Sequence, residues 1–172
     1  MRDILKSALS AVFLLVALSA CNSDDNTEYV PTVASVPGEY QGTVSGTMVH
    51  IGAAGDSVAY PLIPNGDEEV VVTTNQDGTV NVKTPTFYTA SPSGNDASGK
   101  YAYPGVTIRN VTLSADGNVV RIDAKAYSGM NGFYSVTGTI KGLFQGKDIS
   151  VDYTYLHAGG MDGKIHFTGK RR

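Results

Sequence analysis

From Pro37 onward the chain alternates. Apolar and polar side chains change places residue by residue in run after run, and no stretch of ten or more residues keeps the i, i+3, i+4, i+7 spacing of a helix. Successive side chains on a strand point to opposite faces, so a chain patterned at period two buries its apolar residues only as strands with one covered face. The first run, Gly38 to Ile51, sets Tyr40, Val44 and Met48 against Gln41, Thr43, Ser45 and Thr47. A shorter run from Ser57 to Ile63 alternates Val58, Tyr60 and Leu62. Pro61 lies inside it, and a residue without an N–H confines that strand to an edge or a bulge.

Two hairpins follow from local chemistry. Asp77-Gly78 separates Glu69 to Thr74 from Thr79 to Val82, and Asp116-Gly117 separates Val111 to Ser114 from Asn118 to Ile122. In each pair the glycine supplies the positive φ that a tight turn requires. Between the hairpins, Pro85 to Gly105 is rich in Ser, Gly, Pro, Asn and Tyr; a strand is expected near Thr86 to Thr89, and a loop from Ser91 to Lys100. Three more strands are expected: Phe133 to Phe144; Lys147 to Leu156, with Ile149, Val151, Tyr153 and Tyr155 on one face; and Lys164 to Gly169, with Ile165 and Phe167 inward. About eight strands joined by short turns predict a single all-β domain, an antiparallel meander closed into a barrel, since closure removes exposed edges. Gly42, Gly46, Gly138 and Gly142 stand where such a barrel bends.

The first twenty residues are processing information. Arg2 and Lys6 precede the apolar run from Ala8 to Leu18, which falls short of the roughly 20 residues that cross a bilayer. Leu18 is too bulky for the small-residue pair of an ordinary secretory cut. Leu18-Ser19-Ala20-Cys21 instead resembles the bacterial lipobox, which implies acylation of Cys21 and cleavage before it. Cys21 is the only cysteine, so it has no internal disulfide partner. Two or more acyl chains anchor a protein stably at a membrane that it does not cross. Residues 21–37 then read as the lipidated Cys and a tether, polar and acidic first and carrying Pro31 and Pro37 later, with the domain at 38–172. Ser23-Asp24-Asp25 resembles the acidic signal that sends some Gram-negative lipoproteins to the outer face of the outer membrane; a soluble spacer is the alternative.

Gly38-Glu39-Tyr40-Gln41-Gly42-Thr43, the two Asp-Gly hairpins, Gly138-Thr139-Ile140-Lys141-Gly142 and Ile165-His166-Phe167-Thr168-Gly169 together resemble the calycin-like β-barrel lipoproteins of Gram-negative gut bacteria. The resemblance covers nearly the whole mature chain and implies a calycin/lipocalin-like barrel held at the outer membrane. A wider similarity is to lipocalins, whose first strand carries Gly-x-Trp; here Gly38 and Tyr40 take those places and the Trp is absent.

The side chains offer little chemistry. His50, His157 and His166 have no metal-ligand spacing, and no free Cys joins them, so neither a metal nor another cofactor is implied. Asp67-Glu68-Glu69 reads as a solvated turn, because neighbours on a strand face opposite ways and do not make an acid/base pair. No Gly-x-Ser-x-Gly elbow is present. Without its first twenty residues the chain keeps 11 basic and 15 acidic groups, a net charge of about −4, and its longest basic run is Lys170-Arg171-Arg172, which excludes a nucleic-acid footprint. Asp56-Ser57-Val58 resembles the O-glycosylation site of exported proteins from such bacteria and implies Ser57 as acceptor. Tyr88, Tyr101, Tyr103 and Tyr127 fall in or beside loops, where a flat ring with a polar tip suits sugars or protein partners. The sequence therefore predicts a non-catalytic envelope protein that binds a small ligand, a glycan or a protein. The alternative is a structural or accessory subunit with a solid barrel core.

Overall fold

The computed structural model describes residues 30–52, 54–91, 99–132 and 134–172. The signal segment, Leu18, Ser19, Ala20 and Cys21, the Ser23-Asp24-Asp25 cluster and most of the loop after Ser91 lie outside these residues. Twelve strands are described: β1 Gly38–Ile51, β2 Ser57–Ile63, β3 Glu68–Thr74, β4 Val80–Lys83, β5 Phe87–Ala90, β6 Lys100–Tyr103, β7 Thr107–Val111, β8 Leu113–Asp116, β9 Val119–Asn131, β10 Tyr134–Gln145, β11 Asp148–His157 and β12 Met161–Arg171. Among the described residues the one helical piece is a 3-10 turn, Val33–Ser35. Every ladder is antiparallel.

β1 is the spine. One of its edges pairs with β12 from Tyr40 opposite Arg171 to His50 opposite Met161. Its other edge is divided: Gly38 to Gly42 pair with β3, and Thr47 to Ile51 pair with β2. Pro61 sits where β2 leaves β1, and the next two residues, Leu62 and Ile63, pair with β5 instead. The proline thus lies at the end of a stretch paired on one side only, an edge as expected, and it also marks a change of partner. A residue with no N–H costs least where one ladder ends and another begins.

Around the sheet, one arm runs from β1 through β12, β11, β10 and β9 to β8, and the other runs through β3 and β4 to β7. The arms meet at Thr112, the single residue between β7 and β8, whose carbonyl accepts the Asp123 N–H at 3.3 Å. Asn110, at φ 53°, lies in the bulge of the β4–β7 ladder, where the register shifts between Ile108 opposite Val82 and Val111 opposite Val80. Asn is among the few residues that tolerate that backbone region. Its conformation is held by an amide network: Asn75 Nδ2 donates to Asn110 Oδ1 at 3.2 Å, Asn110 N–H to Asn81 Oδ1 at 3.2 Å, and Asn81 Nδ2 to Asn75 Oδ1 at 2.8 Å. Among the described residues no ladder joins β7 to β9, so the pairing curls round the core without closing.

The strand count exceeds the eight expected because turn-rich sequence hides short strands. β6 and β7 follow the Ser/Gly-rich stretch and were not expected, β5 lies at Phe87–Ala90, one residue along from the strand expected at Thr86 to Thr89, and β9 continues nine residues beyond the expected Ile122. The core is formed as the alternation predicts. Tyr40, Val44 and Met48 from β1 are buried with Phe144, Ile149, Val151, Tyr153, Tyr155, Ile165 and Phe167. The Tyr40 and Phe144 rings are tilted at 5.5 Å. Asp77 caps its hairpin by accepting from Thr79 N–H at 3.0 Å and Thr79 O–H at 2.6 Å, and Gly78 and Gly117 have φ of 82° and 62°, as the two turns require.

Close backbone approach fixes Gly42. It stands opposite Gly169, and a Cβ there would lie 1.9 Å from the Thr168 carbonyl oxygen. Gly42→Ala is expected to cost about 1–3 kcal/mol, since backbone on both strands must move. Urea unfolding checks it, with the exposed Thr43→Ala expected to stay within about 0.5 kcal/mol of wild type.

Candidate functional site

Four strands, β5, β6, β10 and β11, bring a chain of aromatic rings to one end of the domain. Tyr101 and Tyr103 on β6 lie 4.9 Å apart, Tyr103 stacks on Phe87 of β5 at 5.1 Å, and Phe87 meets Tyr155 of β11 edge-on at 5.2 Å. Tyr155 is parallel to His157 at 6.4 Å, and His157 touches Tyr134 of β10 at 4.5 Å. The chain of rings descends from solvent at Tyr101 (45% exposed) through the fully buried Phe87 and Tyr155 and returns to solvent at Tyr134 (52% exposed). Alternation puts Tyr101 with Tyr103, and Tyr155 with His157, on a common face.

The register supplies the floor. His50 on β1 and His157 on β11 both stand opposite Met161 on β12, one on each side. Opposed residues of an antiparallel ladder project to the same face, so the two imidazoles flank the buried Met161 side chain across roughly 10 Å of sheet. The resulting recess holds about 270 Å³ and is lined by His50, Tyr101, Tyr103, Tyr134, His157, Gly159 and Met161.

Its electrostatics are neutral. Partial burial holds the His157 imidazole below its ordinary pKa, and its Nδ1 accepts the Gly159 N–H at 3.1 Å. That bond places the proton of the neutral ring on Nε2 as a donor. Burial pushes the Tyr103 phenol up to about 12, so it keeps its proton. Among the described residues no carboxylate, lysine or arginine lines the recess. Among the described residues no group of three His, Cys, Asp or Glu side chains is arranged to hold a metal ion.

Other concavities have plainer readings. A shallow groove of about 370 Å³ crosses the outer face of β10–β12, where His166 Nδ1 meets Asp152 Oδ1 at 2.7 Å. Another, of about 580 Å³, follows the unpaired seam between residues 105–109 and 125–130. The seam is bridged at one point by Lys125, whose ammonium donates to the Asn110 carbonyl.

The structure sorts the residues that the sequence singles out. His166 points outward as expected, whereas His50 and His157 come together in the mouth, which their spacing in the chain does not reveal. Tyr101 and Tyr103 reach the mouth. Tyr127 does not; it is buried and donates to the Thr154 carbonyl at 2.6 Å, and Tyr88 is half-buried on β5. Tyr134 and Met161 were not anticipated, since only the register of β10–β12 aligns them. Glu68 departs from the solvated turn expected. It is 4% exposed, and its carboxylate accepts the N–H groups of Asn65 at 2.6 Å and Gly66 at 3.0 Å, so it ties the turn rather than serving a site. Its neighbours face solvent: Asp67 accepts from Gln41 at 3.0 Å, and Glu69 meets Arg172 at 3.4 Å. Ser57 is exposed at the start of β2, just after a turn in which Gly52 N–H donates to the Asp56 carbonyl at 2.8 Å. Among the described residues no helix is long and apolar enough to cross a membrane.

No family model matches the chain. No curated protein matches it. Its fold is similar to that of a "putative outer membrane protein" from Bacteroides fragilis known from a crystal structure, with a TM-score of 0.57 at 20% identity. The similarity covers 83% of this chain and 53% of that one, so the chain spans about half the length of the protein it matches.

A proton–nitrogen NMR titration of the imidazoles checks the mouth's electrostatics. His157 is expected to titrate below the ordinary midpoint of about 6.5, and a midpoint above that value contradicts the burial assigned to it. With its folded pKa lowered, the unfolded chain binds more protons at this site. The stability it contributes is therefore complete above about pH 6.5 and falls as the pH drops through the folded midpoint.

Proposed function

We propose that this chain is a lipid-anchored protein of a Gram-negative outer membrane whose β domain is a non-catalytic binding module, with the aromatic mouth as its ligand site. The supporting observation is the polarity of β1. β1 starts at Gly38 and reaches His50 twelve residues later, about 40 Å along a strand, so the mouth lies at the end of the domain remote from Gly38, where the expected tether would join. A ligand site facing away from the lipid suits capture from the surrounding medium. Lipidation of Cys21 rests on Leu18-Ser19-Ala20-Cys21. The fold shared with an outer membrane protein of similar architecture agrees with that address.

The calycin-like barrel belongs to the same proposal. β1, β3, β4, β7, β9, β10, β11 and β12 surround the core as eight staves, with the seam between β7 and β9 left unpaired. Its lumen is filled by Met48, Phe144, Tyr155 and Phe167, each at most 1% exposed, so the ligand is assigned to the mouth and not to the interior. At about 270 Å³ the mouth falls just below the usual range for drug-sized ligands, which favours a small occupant. The packed lumen also favours a second reading, an accessory subunit with no ligand. Exposed Ser57 between Asp56 and Val58 is proposed as an O-glycan acceptor, one strand from the mouth.

Palmitate labelling and fractionation test the anchor: the wild-type chain is expected in the membrane fraction with label, and Cys21→Ser in the soluble fraction without it. Membrane retention of Cys21→Ser contradicts the proposal. Mass spectrometry of small molecules released from the native protein tests the mouth. Species are expected with wild type that are absent from a Tyr101→Ala/Tyr134→Ala variant, and identical contents favour the accessory reading.

A further inference from the structure

We infer that the mouth receives a single neutral sugar ring, such as the terminal pyranose of an uncharged glycan. The inference rests on the mouth being the ligand site and names the class of its occupant. A pyranose combines a flat C–H face, a rim of hydroxyls that both donate and accept hydrogen bonds, and no charge. The mouth offers a counterpart to each. The exposed rings of Tyr101 and Tyr134 stand at its rim and present flat apolar surfaces with polar tips. On the floor, His157 Nε2 is a fixed donor, because Nδ1 is already engaged by the Gly159 N–H at 3.1 Å. Tyr103 adds a phenol that remains protonated, and His50 adds a second imidazole on the same row, opposite Met161.

Other ligand classes fit less well. Among the described lining residues a carboxylate or phosphate finds no arginine, lysine or helix terminus, and an organic cation finds no carboxylate. A fatty chain would cut the His157 Nε2 donor and the exposed Tyr101 phenol off from water and give them no acceptor, at the cost that burying an unpaired polar group carries. The volume of about 270 Å³ limits the buried part to one ring, so a longer glycan extends from the rim into solvent. Specificity for ring stereochemistry then falls to the floor donors. The rim rings read the C–H face.

NMR titration of the mature domain with methyl glycosides of neutral hexoses at pH 7.5 tests this, with methyl glucuronide as the charged probe and benzyl alcohol as the apolar one. At least one neutral glycoside is expected to shift the resonances of His50, His157, Tyr101 and Tyr134 saturably, with a dissociation constant on the order of 1 mM, as befits so small a ligand. The glucuronide is expected to bind at least fivefold more weakly, and Tyr134→Ala, at an exposed position that leaves the core intact, to weaken neutral-sugar binding about tenfold. If benzyl alcohol or the glucuronide occupies the mouth while every neutral glycoside leaves it unmoved, the sugar assignment is overturned and the mouth stands as a site for another class. If no probe moves mouth resonances, the site assignment falls as well.

Discussion

The antiparallel ladder between β1 and β12 carries the rest of this structure. It runs unbroken from Tyr40 and Arg171 at one end of the domain to His50 and Met161 at the other, and both strands contribute core side chains along it. Because side chains alternate, fixing its register fixes every face at once: a slip of one residue would turn Val44, Met48, Ile165 and Phe167 out to solvent and remove Met161 from between the two imidazoles. Gly42 opposite Gly169 lets the backbones close in where the sheet bends. The hydrophobic alternation and the glycine pair thus specify the same register, and local and global preferences agree.

That ladder also gives the domain two unlike ends. Near Gly38 the C-terminal strand folds back over the start of the first. The Arg171 guanidinium donates to the carbonyls of Ser35 and Pro37, the latter at 2.6 Å, and Arg172 N–H donates to the Glu39 carbonyl at 3.1 Å. Tyr40 adds a bond from its hydroxyl to the Val36 carbonyl at 2.5 Å. The two Arg171 bonds are charge-assisted, a kind that contributes about 1.5–3 kcal/mol each. The far end is built of rings and imidazoles, and among the described residues no Asp, Glu, Lys or Arg lines its recess. Sheet closure is weakest at neither end but along the side, at the β7–β9 seam, where the Lys125 ammonium reaches the Asn110 carbonyl and no ladder forms among the described residues.

Much of this was legible in the sequence, for a physical reason. Period-two patterning and Asp-Gly turns are local, so the all-β class, both hairpins and the inward faces of β1, β11 and β12 follow from neighbours in the chain. The partner switch at Pro61 was half legible: the missing donor predicted the edge but not the change of partner. The bulge at Asn110 and the short strands β6 and β7 were hidden, because turn-forming residues surround them and pairing with distant strands decides their fate. The mouth was the least legible part. His50 and His157 are neighbours only through β12, and no spacing in one dimension encodes a register between strands from the two halves of the chain. Glu68 misleads for a related reason. Its neighbours suggest a solvated cluster, while the turn's own N–H groups draw it inward.

The central claim is that lipid holds one end of the domain and the ligand site occupies the other. Paramagnetic relaxation measured on the acylated protein in nanodiscs containing spin-labelled lipid tests it most directly. The account predicts strong broadening for Val36, Gly38 and Arg171, with His50, Tyr134, His157 and Met161 spared. Broadening concentrated on the mouth residues, with the Gly38 end untouched, would contradict it.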